Sequence, residues 1–219
     1  MEEKKIINAN GMTELVFILD KSGSMGGLEN DTVNGFNSML EDQRAGEGKV
    51  LVTTVLFSNR SSMLHDRVDI SEVKPLTRRE YQVGGGTALL DAIGDTVKHI
   101  EDIHRYARPE DVPERTLFVI TTDGEENSSR RYSSADVKSM IKKHEEGGWE
   151  FLFVADNIDA VETAEAIGIR ADRAASYSVG SATPLMYKEM SATISCYRKK
   201  GSIRSDWAEK IAKDESNNG

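Results

Sequence analysis

Three apolar runs in this 219-residue chain stop at the same residue type. TELVFILD (13–20), RTLFVITTD (115–123) and WEFLFVAD (149–156) are rich in apolar and β-branched side chains, and each ends in aspartate. A strand without apolar/polar alternation has to be covered on both faces, as in the middle of a parallel sheet. Parallel neighbours need long crossover connections, usually helices. Helical spacing is present between the runs. Val33, Phe36, Met39 and Leu40 mark one face of a helix over 27–44, and Leu90, Ile93, Val97 and Ile100 mark another over 87–106. Further helices are expected over 133–146, stopped by a glycine pair, over 158–168, closed by Gly168, and over 184–199.

The remaining strands are weaker signals. KVLVTTVLFS (49–58) reads as a second strand. The turn-like SNRSS then leads into SMLHDRVDI (62–70), a third strand paired antiparallel at a sheet edge. RADRAASYS (170–178) carries a weak sixth. Strands separated by helices imply an α/β fold, a three-layer, doubly wound (Rossmann-like) sheet that is mostly parallel with helices on both faces. The expected organisation is an N-terminal extension over 1–12, one large domain over 13–200, and a polar C-terminal tail over 201–219 that frays.

Charge and cysteine content narrow the function classes. A net charge of −9 disfavours binding to nucleic acid or to anionic membranes through bulk electrostatics. No apolar run approaches the length of a membrane span. The start of the chain has charges but no apolar leader, and the single cysteine, Cys196, rules out an internal disulfide. A cytoplasmic location is the expectation.

In parallel sheets, ligands bind beyond the carboxyl ends of the strands. There the chain places Asp20, Ser22 and Ser24 after the first strand, Asp123 after the fourth, and GGGT, ending in Thr87, before the second long helix. These five are hard oxygen donors with no His or Cys among them. The set suits Mg²⁺ above all, or Mn²⁺ or Ca²⁺, rather than zinc. Only two of the five are anionic, so they balance a dication and leave a position for water or an outside ligand.

Plainer readings exist for each residue. Asp20, Ser22 and Ser24 are common helix caps, and Thr87 can cap its own helix while also binding a metal. GGGT can cradle a phosphate, but it lacks the lysine, the Walker spacing and a GxGxxG. Asp156 reads as a turn residue, and Glu125 and Glu126 as solvated loop charges. His65, His99, His104 and His144 are scattered, with His104 at a core edge; Cys196 reads as buried packing.

DKSGSM (20–25) matches the DxSxS motif of von Willebrand factor A (vWA) domains, and GGGT and TTDG match that family's other two metal loops. Over roughly 13–180 the chain resembles this family, in particular its stand-alone intracellular, bacterial-type members. The resemblance implies strand order 3-2-1-4-5-6, with strand 3 antiparallel at the edge. It also implies a metal-ion-dependent adhesion site (MIDAS). Ser22 and Ser24 would bind the ion directly, Thr87 and Asp123 would alternate between direct and water-mediated contact, and Asp20 would stand behind them. An Asp or Glu of a partner protein would complete the coordination. The function implied is a metal-dependent protein-binding module, with an AAA+ ATPase as one partner class.

The alternative is a metal-dependent, phosphatase-like hydrolase using the same cation. Against it, aspartyl phosphatases need a second aspartate two residues after the first, and that position is Ser22. There is no GxSxG elbow and no evident general base either.

Overall fold

The computed structural model describes residues 11–156, 159–177, 183–209 and 211. Most of the expected N-terminal extension, part of the C-terminal tail, the first residue expected for the fourth helix and the end of the expected sixth strand lie outside those residues. The elements are β1 (Thr13–Asp20), α1 (Glu29–Arg44), β2 (Val50–Phe57), β3 (Ser61–Asp69), α2 (Leu89–Tyr106), β4 (Arg115–Thr122), α3 (Ser134–Glu146), β5 (Glu150–Ala155), α4 (Ala160–Ala166), β6 (Ala174–Ser176) and α5 (Thr183–Lys200). They form one six-stranded sheet in the order β3-β2-β1-β4-β5-β6. Every neighbouring pair is parallel except β2–β3. The fold class and strand order are those expected.

The continuous apolar runs are explained by the two layers they separate. All eight residues of β1 are buried. Leu15, Phe17 and Leu19 point to the side covered by α1 and α5, where Phe17 meets Phe36 edge-on at 5.2 Å. Val16 and Ile18 point to the other side, against α2 and α3. β4 and β5 divide in the same way, with Leu117, Val119, Leu152 and Val154 on one face and Phe118, Ile120, Phe151 and Phe153 on the other. A period of two therefore persists, but both phases are apolar. Glu14 is the exception in β1. It is fully buried, and Arg67 Nε donates to it at 2.6 Å while His104 Nε2 lies 2.5 Å away. His104 also packs edge-on against Trp149, so it does sit at a core edge.

Element ends differ from expectation where caps or turns intervene. Gly23–Met25 is a short 3₁₀ turn, so α1 begins at Glu29 rather than 27. A capping box between Ser133 and Asp136 starts α3. The sixth strand shrinks to three residues because Ala171–Arg173 forms another 3₁₀ turn just before it. Among the described residues, no helix is long and apolar enough to cross a membrane.

The expected fraying of the tail does not hold for its described part. Ile203, Trp207 and Ile211 are buried in the same apolar layer as α5. Trp207 Nε1 donates to the Asp172 carbonyl at 3.0 Å, and Arg173 Nη2 donates to the Ile203 carbonyl at 3.4 Å. Three apolar residues in a polar segment suffice to hold it down, because their spacing lets all three reach one surface. Trp207→Ala is expected to lower stability by about 3 kcal/mol or more in urea unfolding, as for a buried large-to-small change. A loss below about 0.5 kcal/mol, the range for an exposed site, would contradict this docking.

Candidate metal centre

β1 pairs in register with β2 and β4, which brings Asp20 level with Phe57 on one side and next to the end of β4 on the other. The Asp20 carboxylate then ties two loops together. Its Oδ1 accepts from Ser22 N at 2.7 Å, and its Oδ2 accepts from Thr122 Oγ1 at 2.6 Å. Its carbonyl oxygen accepts from the Tyr81 hydroxyl, which adds the segment leading to GGGT.

The hydroxyls follow from that anchoring. Ser22 Oγ and Ser24 Oγ lie 3.0 Å apart, and Ser24 Oγ donates to Asp123 Oδ1 at 2.7 Å. Thr87 reaches the same place from the third loop. A Cβ on Gly124 would stand 3.1 Å from Ser24 Oγ and 3.5 Å from Thr87 Oγ1. Glycine at this position spares Ser24 Oγ that tight contact. All five candidate residues thus meet at the carboxyl edge of the sheet. Asp20, Ser22, Thr87 and Asp123 are buried, whereas Ser24 is exposed.

Electrostatics make this edge costly as it stands. Burial raises the pKa of Asp20 even though hydrogen bonds from Thr122 and Ser22 oppose it. Burial also pushes Asp123 up to about 6, helped by the charges of Asp20 and Asp156 and opposed by the Ser24 hydrogen bond. Neither Asp20 nor Asp123 has an ion-pair partner among the described residues. Two buried carboxylates without an ion-pair partner among the described residues, beside three hydroxyl oxygens, fit a hard divalent ion. No group of three or more His, Cys, Asp or Glu suited to a metal occurs among the described residues, and three of these five donors are hydroxyls.

Several residues that shape the site carried no strong signal. The β1 and GGGT loops are joined by backbone bonds from Gly23 N to Gly85 O and from Gly84 N to Lys21 O, both 2.9 Å. Gly85 has φ +86°, and a Cβ there would sit 2.0 Å from Asn59 Oδ1, so two constraints exclude a side chain. Asn59 Oδ1 accepts from Gly86 N, and Asn127 Oδ1 accepts from Thr87 N, both at 2.9 Å. Asn59 lies in the turn-like SNRSS and Asn127 directly after Glu126, and nothing local shows which loop each faces. Thr122 belongs to TTDG, but only the sheet reveals its bond to Asp20.

Other expectations need correction. Glu126 is not a solvated charge. Its Oε2 accepts from Leu90 N at 2.9 Å and its Oε1 from Ser129 N at 2.7 Å, so it caps α2 from another loop. Thr87 therefore does not cap α2, which has Ala88 at its N-cap. Asp156 stands in the bend after β5, as a turn residue would, and it is buried there, with its N donating to Thr122 O at 3.1 Å. Cys196 is only half-buried and lines a pocket of about 250 Å³ beside Trp207. No histidine among the described residues bonds to the site. His65 lies 3.0 Å from Thr54 Oγ1, His99 lies 2.9 Å from Asp66, and His144 stacks on Trp149.

An open, doubly wound sheet with a hydroxyl- and carboxylate-lined loop cluster at its carboxyl edge defines a class of binding domain. The model of the von Willebrand factor type A domain matches residues 14–187, and the chain belongs to that family. Domains of this family are generally adhesion or interaction modules. Manganese-loaded TRAP protein of Plasmodium vivax superposes with a TM-score of 0.58 at 16% identity, over 84% of this chain and 72% of that one. Proximal thread matrix protein 1 of the mussel byssus, in a structure with a zinc-occupied MIDAS motif, gives 0.56 at 14% identity over 88% and 47%. A von Willebrand factor type A protein from Catenulispora acidiphila gives 0.53 at 13% identity over 83% and 42%. The chain spans less than half of the last two proteins. At such identities the likeness is one of fold. No curated protein matches the sequence.

The raised Asp123 pKa sets a pH dependence for the metal-free protein. Because its folded pKa lies above the ordinary 3.8, the native state binds the extra proton. The resulting stability is complete below about pH 4 and is lost as pH rises through about 6, a change of about 2–3 kcal/mol. Asp123→Asn removes that loss. In chelator, the stability difference between variant and wild type should therefore shift in the variant's favour from pH 4.5 to pH 7. A difference that stays flat with pH would contradict the assignment.

Proposed function

We propose that Asp20, Ser22, Ser24, Thr87 and Asp123 form a MIDAS for one divalent cation, and that the chain is a metal-dependent protein-binding module. The observation that carries this reading is the pair of buried carboxylates without an ion-pair partner, set among three hydroxyls at one edge of the sheet. When bound, the cation supplies a Lewis-acidic centre whose remaining coordination position accepts a carboxylate from another protein.

The chain's own residues divide the work. Both Asp20 oxygens are taken by Ser22 N and Thr122 Oγ1, so Asp20 orients the loop and supplies charge from behind. Ser22 and Ser24 present hydroxyl oxygens, and Thr87 and Asp123 close the other side. Ser24, the exposed member, borders the approach, and the neighbouring glycines keep that approach clear. Mg²⁺ is the first choice of ion, with Mn²⁺ and Ca²⁺ next; the mussel protein brings zinc into the comparison. The partner offers an Asp or Glu side chain, and an AAA+ ATPase inside the cell is one candidate class. The net charge of −9 repels an acidic partner at long range, but screening beyond about 8 Å limits that penalty.

Metal binding should appear as thermal stabilisation. At one hundred times its dissociation constant a cation adds about 2.7 kcal/mol, which for a domain of this size is roughly 5–10 °C in melting temperature. Titrations with Mg²⁺, Mn²⁺, Ca²⁺ and Zn²⁺ should give such a shift, reversed by chelator and abolished in Ser22→Ala/Asp123→Ala. No shift with any of the four would remove the metal reading.

Partner binding should need the same site. Pull-downs from cell extract are expected to retain a protein only with cation present, and to lose it in Thr87→Ala. Phosphatase turnover that disappears in Ser22→Ala would instead favour the hydrolase.

A further inference from the structure

A charged cleft of about 800 Å³ opens beside the proposed metal site. Its wall begins at the residues that hold Thr87. Asn59, which accepts from Gly86 N, and Asn127, which accepts from Thr87 N, both line it. Arg60 stands at the β2–β3 turn on one side, where Ser58 N bonds its carbonyl at 3.1 Å. Arg130 stands in the loop after β4 on the other.

The charges in this cleft are not balanced. Its two carboxylates are already engaged from within. Asp91 accepts from the backbone N–H groups of Arg130, Arg131 and Tyr132 at 3.1, 2.8 and 3.1 Å. Asp95 pairs with the Arg131 guanidinium at 2.5 Å, and Arg131 also reaches Asp91 at 3.4 Å. Arg131 is thus neutralised. Arg60 and Arg130 are exposed, and neither has an ion-pair partner among the described residues. In a chain of net charge −9, two unpaired guanidiniums beside one cleft are a local reversal of sign. Guanidinium forks match carboxylates in geometry as well as charge. The volume is that of a site for several residues rather than one small ion.

We infer that the partner segment is diacidic, with one carboxylate completing the cation's coordination and a second, a few residues along the same chain, held by Arg60 and Arg130 in the adjoining cleft. This rests on the metal-site reading above and adds a selectivity to it. A single carboxylate on the ion distinguishes few partners; a second contact at fixed spacing selects among acidic segments.

The test uses the full chain and fluorescein-labelled peptides in a Gly-Ser frame. One carries a single Asp, and the others add a second Asp or Glu one to five residues away. Anisotropy is read in MgCl₂ and in chelator, with the Mg²⁺ thermal shift measured in parallel. The best diacidic peptide should bind on the order of tenfold tighter than the single-Asp peptide, the upper end of what two solvent-facing ion pairs deliver. In Arg60→Gln/Arg130→Gln that advantage should fall below about twofold and the Mg²⁺ shift should stay unchanged, since neither side chain holds the metal loops. Equal binding of both peptide kinds, or an advantage that survives the double variant, overturns the cleft and leaves the metal reading intact. Failure of every peptide to bind also overturns it. Diacidic peptides held without any Mg²⁺ shift, and released by the double variant, would overturn the two-point attachment together with the metal reading, leaving the arginines as a carboxylate site of their own.

Discussion

Asp20 is the residue on which the carboxyl edge of this molecule depends. It ends a strand paired on both sides, so its backbone position is set by β2 and β4 together. From there its two carboxylate oxygens and its carbonyl reach Ser22, Thr122 and Tyr81, which belong to three separate segments. A buried carboxylate is costly unless its acceptors are used, and here the partners that use them are the loops themselves. The same bonds that satisfy Asp20 therefore assemble the site. They also prevent Asp20 from turning outward, which leaves the exposed role to Ser24.

The second constraint is the double cover of the sheet. Helices on both faces make β1, β4 and β5 mainly apolar, with Glu14 the charged exception inside β1, and they leave the strand ends for polar chemistry. At those ends three carboxylates, Asp20, Asp123 and Asp156, come within electrostatic reach of one another. Burial first, and then the charges of Asp20 and Asp156, raise Asp123, so negative charge at this edge is unfavourable. Next to it, the Arg131 pairings absorb the local carboxylates and leave two guanidiniums over. The two neighbouring regions are thus of opposite electrostatic character, one short of positive charge and one with positive charge to spare.

Much of this was legible from residues alone because it depends on local pattern. The apolar runs disclosed the central strands, since a strand covered on both faces has no polar phase. DKSGSM, GGGT and TTDG each sit directly after or before an element that periodicity already located, so their meeting at one edge followed from the sheet. Illegible were the contributions of Asn59, Asn127 and Glu126. Each acts on a backbone N–H far away in sequence, Glu126 on Leu90 across 36 positions, and no local feature names that recipient. Ile203, Trp207 and Ile211 were missed for a related reason. They recur four residues apart, but three apolar side chains in a polar stretch are too few to mark an element, and only the apolar layer shared with α5 gives them a common destination.

What the sequence determined by itself is the alternation of strands and helices, the coverage of the sheet and the identity of the oxygen donors. These rest on side-chain type and short spacing, which act wherever the chain goes. Only the tertiary structure decided which donors stand behind the others, which charges remain unpaired and how far the folded unit runs toward the C-terminus. Those outcomes depend on hydrogen bonds and burial between residues such as Asp20 and Thr122, separated by 102 positions. Such contacts exist only once the parallel sheet has set the loops side by side.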